Sequence, residues 1–190
     1  MSRRKKTKTA KKIARSSKVE TASPLPPQAT AFSADRAVLA SEEVLVKAGA
    51  TSCFDLALRR LEEPSAQDPV ILRATPASDV TRRTGAVSHV VINVGGKTLE
   101  SRAIITLHRP DRVLSWVLTD YPKFKEYWRF EPEPAGTVVR VHLGYEVPGT
   151  ILNRFWQEVV GKRRIEGQAR RLLEMLKYEA ESTAGDKVDE

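Results

Sequence analysis

The chain has 190 residues, 29% charged and 41% hydrophobic, enough for one compact domain with a core plus a flanking segment. Its net charge of +8 is unevenly placed: residues 1–34 hold nine of the 32 Lys/Arg and one of the 24 Asp/Glu, so the chain from Asp35 onward is neutral. That argues against a folded nucleic-acid-binding face, and the single cysteine, Cys53, excludes an intramolecular disulfide and a multi-cysteine metal site.

The uncharged stretch Thr84 to Gly96 is too short to span a bilayer and contains Ser, His and Asn. No apolar segment follows the basic start, which argues against a secretory signal. The start is Lys-rich rather than Arg-rich, unlike most transit peptides, although its lack of acids leaves organellar targeting open. The expected setting is soluble and cytoplasmic.

Residues 1–40 read as a disordered basic tail and linker. The cations from Arg3 to Lys18 repel one another, and Ser23-Pro24-Leu25-Pro26-Pro27 cannot continue a helix. A short, marginal helix is conceivable over Asp35 to Leu39. The folded domain is expected over residues 41–181, with order beginning near Glu43 and a first strand over Val44–Ala48. A helix follows, opened by Ser52 with Asp55 at capping-box spacing. Phe54, Ala57, Leu58 and Leu61 fall on one face of it, and Pro64 ends it. The stretch from Ser65 to Ala77, with Pro69 and Pro76, reads as irregular or as holding a second short helix around Val70 to Arg73.

From Ser78 to Val147 the pattern is strand throughout, with segments at Asp79–Arg83, Val87–Val94, Thr98–Leu107, Val113–Asp120, Phe124–Glu131 and Thr137–Tyr145. Short Gly, Pro and Asp connectors between them imply an antiparallel meander. Alternation puts Leu99, Ser101, Ala103, Ile105 and Leu107 on one face. Leu114, Trp116 and Leu118 share a face, as do Phe124, Trp128 and Phe130, and Val139, Val141, Leu143 and Tyr145. A proline-free helix runs from Ile151 to about Glu181, roughly 45 Å, long enough to cross a seven-strand sheet about 29 Å wide. Residues 182–190 are a polar, disordered end.

This order resembles the helix-grip fold of the START-like (SRPBCC) superfamily, which includes polyketide cyclases/dehydrases and coenzyme Q-binding proteins. Three stretches carry the resemblance. Glu43–Leu58 looks like the family's first strand entering its first helix, with Ala48-Gly49-Ala50 where Ala-Pro is common. Tyr127–Val147 is similar to its hairpin, whose W-x-F-x-P…GT-x-V pattern matches at Trp128, Phe130, Pro132, Gly136, Thr137 and Val139. Pro148–Trp156 looks like the start of the closing helix. The resemblance implies an α+β helix-grip fold: a seven-stranded antiparallel sheet curved around a long C-terminal helix, with two short helices after the first strand. It also implies a cavity between sheet and helix, filled by an apolar ligand.

The candidate chemistry is sparse. His108 and His142 fall on the polar side of their strands, where a solvated imidazole is expected. His89 shares a face with Val87, Val91 and Asn93, on a strand apolar on both sides, so either face could turn inward. No histidine pair has metal-ligand spacing. Cys53 reads as a half-buried core thiol. Glu62-Glu63 and Glu131 with Glu133 sit where solvent exposure is expected, and Gly95-Gly96 reads as a hairpin turn. Lys162-Arg163-Arg164 and Arg170-Arg171 read as a solvated helix face. Gly161 and Gly167, each costing about 1 kcal/mol in a helix, suggest close approach, a bend or fraying.

The expected pocket is lined by Val91, Ser101, Ala103, Trp116, Leu118, Trp128, Phe130, Val141, Leu143, Tyr145, Phe155 and Val159. Tyr145, Trp116 and Ser101 can each offer a polar group inside an apolar wall. The leading expectation is binding or transport of a lipid-, quinone- or polyketide-like molecule, with no cofactor or metal implied. Two alternatives stand beside it. A cyclase/dehydrase-type enzyme would need an inward acid or base, for which His89, Asn93, Ser101 and Tyr145 are the candidates. An adaptor would use the basic residues 3–18 to bind nucleic acid or anionic membrane.

Overall fold

The computed structural model describes residues 37–185 apart from 78, 80, 95, 121–122 and 147–150; for 37, 38, 146, 151–160 and 185 it describes the backbone alone. The tail through residue 36 and the end from residue 186 therefore lie outside the described residues, whereas residues 182–185, expected within a disordered end, continue the last helix. Seven strands form one antiparallel sheet: β1 (Ala37–Val46), β2 (Ile71–Pro76), β3 (Val87–Val94), β4 (Lys97–Arg109), β5 (Val113–Leu118), β6 (Phe124–Glu133) and β7 (Gly136–Glu146). Their order across the sheet is β1-β7-β6-β5-β4-β3-β2. Helix α1 (Ala50–Arg59) follows β1, and α2 (Ile151–Gly185) closes the chain. No helix among the described residues is long and apolar enough to cross a membrane.

The meander from β3 to β7 forms where alternation and turn residues agree. Asp111 adopts a positive φ of 59° in the β4–β5 turn, a conformation Asp tolerates better than most residues. Gly136 opens β7 at φ 142°, and a Cβ there would collide with the Val46 carbonyl at the end of β1. Glycine is thus required twice over, by its backbone angle and by the close approach.

Five further expectations need correction. Order begins at Ala37 rather than near Glu43, because β1 pairs with β7 over ten positions, from Ala37 opposite Glu146 to Val46 opposite Thr137. This tertiary ladder overrides the local preference that suggested a tail and a short helix. Helix α1 starts at Ala50 with Gly49 as its N-cap and no side-chain cap, so Ser52 lies inside the helix and is exposed.

The second short helix is absent among the described residues, and the strand expected at Asp79–Arg83 lies earlier, at Ile71–Pro76. Asp68 explains the switch: its Oδ1 accepts the backbone N–H groups of Val70 and Ile71, both at 2.8 Å, which launches the chain into β2. Pro76 sits at the end of an edge strand, where a missing N–H leaves no partner unpaired.

Helix α2 runs lengthwise instead of across the strands. Arg170 pairs with Glu42 and Glu181 accepts from the Lys47 backbone N–H. The helical stretch from Arg170 to Glu181 and the strand stretch from Glu42 to Lys47 each cover about 16 Å, so α2 and β1 run in the same direction. The Gln168 amide reaches the opposite side of the sheet, donating to the carbonyls of Pro69 and Asn93 at 3.0 and 2.7 Å. Both flanks of the curved sheet thus grip one helix. Ile165, Ala169, Leu172, Leu173 and Leu176 fill the space between, against Val46, Val139 and the α1 residues Phe54, Ala57 and Leu58.

Candidate functional site

The inner face of the sheet has two ends with different chemistry. Along β6, Phe124, Glu126, Trp128 and Phe130 point inward in alternation, all at most 1% exposed, and α1 covers the end that Phe130 occupies. Glu126 is thus a carboxylate placed among aromatic rings. Its Oε1 accepts the indole N–H of Trp116 at 3.0 Å and of Trp128 at 2.6 Å, and the Arg60 guanidinium at 2.5 Å. Arg60 turns its other edge to Asp68, donating at 2.5 Å and 3.1 Å in a bidentate pair. Burial alone would favour a neutral Arg60, but Asp68 and Glu126 outweigh it and hold the guanidinium firmly protonated. Arg60 also lies 5.5 Å from the Trp128 ring centroid.

This cluster joins the segment after α1 to the middle of the sheet. Three charges removed from water are costly unless every partner is present, and here they are. The carboxylate oxygens of Asp68 also satisfy the start of β2, so one network fixes the α1 exit, the β2 entry and both tryptophans. Phe130 stacks on Trp128 at 6.1 Å, and Phe54 meets Phe130 edge-on at 5.5 Å. Cys53 is fully buried nearby, and burial pushes its thiol up to about 11.

A bulge at Ile105/Leu107 shifts the register of β4 by one residue. Beyond it, His108 stands opposite the inward-facing Leu114 instead of on the polar side. The imidazole meets Phe54 edge-on at 5.2 Å, and its Nε2 has no hydrogen-bond partner among the described residues. The solvated placement expected for His108 is therefore corrected.

At the other end of the inner face, Ala103, Leu118 and Phe124 are buried, while Ser101 and Tyr145 are half-buried. Ser101 Oγ donates to Asp120 at 2.9 Å, a bond that holds the Asp120 carboxyl below its usual range. Tyr145 sends its hydroxyl against Gly161 of α2, where any Cβ would overlap it. Gly161 is therefore a close-approach glycine, whereas Gly167 has open space around it. Burial raises the Tyr145 hydroxyl above its ordinary range despite the nearby Arg164.

The structure brings Ser101, Ala103, Trp116, Leu118, Trp128, Phe130, Val141, Leu143 and Tyr145 to the inner face. Val91 is not among them. On β3 the inward set is Ser88, Val90, Ile92 and Val94, so Val91 lies on the outer face with the exposed His89. The periodicity of β3 allowed both faces, and only its pairing with β2 and β4 decides. Asn93 accepts the Gly96 N–H within the β3–β4 turn. The side chains of Phe155 and Val159 lie outside the described residues. Among the described residues no group of three or more His, Cys, Asp or Glu is arranged to hold a metal ion.

Arg60, Asp68 and Glu126 were not anticipated. The alternation that placed Phe124, Trp128 and Phe130 inward also places Glu126 inward, so that signal was present in β6. Asp68 lies in a loop, and nothing local marks it as buried.

The model of the family described as polyketide cyclase / dehydrase and lipid transport matches residues 37–181. No curated protein matches the chain. Among solved structures, the di-domain ARO/CYC protein StfQ from the steffimycin biosynthetic pathway is 16% identical, with a TM-score of 0.62 over 80% of this chain. The chain spans only 53% of that protein's length. The protein SA2116 from Staphylococcus aureus, 13% identical, aligns with a TM-score of 0.59 over 79% of this chain and 96% of its own. TTHA0849 from Thermus thermophilus, 18% identical, gives 0.55 over 73% and 96%. At such identities these likenesses concern the fold. With a family match running from the first residue of β1 through most of α2, the chain belongs to the polyketide cyclase / dehydrase and lipid transport family.

Proposed function

We propose that the protein binds an apolar small molecule of lipid, quinone or polyketide type, between the inner sheet face and the first turns of α2. The carrying observation is the contrast between the two ends of that face. Under α1 the aromatic rings are sealed and their polar atoms satisfied by Glu126. Toward the start of α2, Ser101 and Tyr145 stay half-buried beside the apolar Ala103, Leu118 and Phe124, the mix of apolar wall and few polar groups that ligand sites use. Trp116, packed on Phe124 at 5.3 Å, forms the floor, and in this reading Phe155 and Val159 supply the opposite wall.

Binding is favoured over cyclase or dehydrase chemistry because the buried acid of the inner face is occupied: one Glu126 oxygen takes three donors. Mass spectrometry of extracts from the purified protein should find a co-purifying apolar compound near one per chain. An apolar dye should bind with the same stoichiometry, quench tryptophan emission, and lose affinity in Leu118→Trp. A dye that binds equally well to Leu118→Trp, or not at all, overturns the assignment.

A second reading concerns residues 3–18, because all of the net charge lies before Asp35. They would serve as a polyanion contact, with retention on nucleic acid or anionic vesicles that falls steeply with salt. Equal retention after removal of residues 1–34 ends that reading.

A further inference from the structure

The outer face of the sheet carries a separate concavity. Leu39 on β1, Gly144 on β7 and Lys125 on β6 form one cross-strand row, and Ser41, His142 and Tyr127 form the next. Gly144 has no side chain, so the first row has a gap between Leu39 and Lys125. The result is a groove of about 410 Å3 walled by the side chains of these two rows.

Three features of the groove are unusual for the outside of a sheet. Leu39 is 67% exposed, an apolar wall facing water. Tyr127 and His142 stand together with ring centroids 5.6 Å apart, forming a half-buried aromatic wall. Burial, and then the neighbouring Arg140, depress the His142 pKa and favour its neutral ring. Among the described residues Lys125 has no ion-pair partner and no carboxylate lines the groove. An exposed apolar side chain, two half-buried rings and an ammonium with no ion-pair partner among the described residues together specify a ligand with an aromatic apolar body and a single negative end.

We propose that this groove is a second binding site, for a planar aromatic monocarboxylate. Its ring lies over Gly144 between Leu39 and the Tyr127–His142 pair, and its carboxylate meets the Lys125 ammonium. The site is independent of the one proposed on the inner face, from which the sheet itself separates it. A volume near 400 Å3 is at the lower end for ligand sites and suits a body of one or two fused rings.

The test is a titration of the full chain, 15N-labelled, with 2-naphthoate and with its neutral counterpart 2-naphthalenemethanol. Saturable shifts centred on the amides of Leu39, Gly144 and His142 are expected. Lys125→Met, which keeps an apolar stem at a surface position, should weaken naphthoate binding about tenfold, the loss of one charge-assisted contact. The same variant should leave the alcohol unchanged. Gly144→Val should abolish both, with unchanged inner-face resonances reporting that the variant is folded. Shifts gathered on Ala103, Leu118 and Phe124, equal weakening of acid and alcohol in Lys125→Met, or no saturation by about 10 mM would each overturn the proposal.

Discussion

Arg60 and Glu126 meet at 2.5 Å in the interior although they are 66 positions apart in the chain, with 4% and 0% of their side chains exposed. Removing Glu126 leaves Arg60 still paired with Asp68. It strands one guanidinium N–H and the Trp116 and Trp128 indole N–H groups in the interior without an acceptor; at roughly 1–3 kcal/mol each, that costs about 3–5 kcal/mol in all. Glu126→Ala should lower unfolding stability by that amount in denaturant titrations. With both indole N–H groups left without an acceptor, the emission of Trp116 and Trp128 should also change under native conditions. A variant within about 0.5 kcal/mol of the parent would mean that the cluster is solvated in solution.

The two interior glycines of α2 should respond with opposite signs. Gly167→Ala meets open space and should stabilise by about 0.5–1 kcal/mol through helix propensity. Gly161→Ala drives a methyl into the Tyr145 hydroxyl and should destabilise by about 1–3 kcal/mol. In a Tyr145→Phe background most of that penalty should vanish, and a double-mutant cycle measures the coupling.

Cys53 should be inert to thiol reagents at pH 8. Its side chain is fully buried, and burial carries the thiol up to about 11, so little thiolate forms and none is reachable. Labelling with a chromogenic disulfide reagent should follow the opening of the fold and accelerate with denaturant. Immediate stoichiometric labelling would contradict the packing of α1 on β7.

Asp120 is held below its ordinary value chiefly by the Ser101 hydroxyl, which outweighs burial, with further help from Thr119 and Arg102. A depressed carboxylate stabilises the fold above its unfolded pKa near 4 and ceases to do so as pH falls through the lower folded value. Asp120 is exposed, so the effect on global stability is small. Ser101→Ala should move the Asp120 titration upward, as followed by carboxyl NMR, and an unmoved titration would remove the bond from solution.

The sheet was legible from β3 onward because alternation and turn residues there point the same way, as in β6, where Phe124, Trp128 and Phe130 alternate cleanly. Even there the pattern hid a charge: Glu126 obeys the same period, and only a partner from a distant loop, Arg60, makes its burial tolerable. His108 was misplaced because a bulge shifts the period midway along β4, and a bulge leaves little trace in sequence. Strand β1 was read too short since Val38, Ala40 and Glu42 do not form an apolar stripe; their pairing with β7 holds them. The lengthwise path of α2 was equally hidden, because helix length limits the span without setting the direction.

The pairing of β1 with β7 has a consequence for synthesis. The first strand to leave the ribosome is the one whose partner comes last among the strands, with Val46 placed opposite Thr137. At about 5–20 residues per second the intervening segment takes roughly 5–20 s to appear. During that time Val44 and Val46 have neither ladder nor core. The meander β3–β6 can assemble meanwhile, each strand meeting its neighbour as it emerges. β1 is therefore made first and docked late, together with α2, so a nascent chain stalled before Gly136 presents a persistent apolar segment to whatever chaperone is at hand.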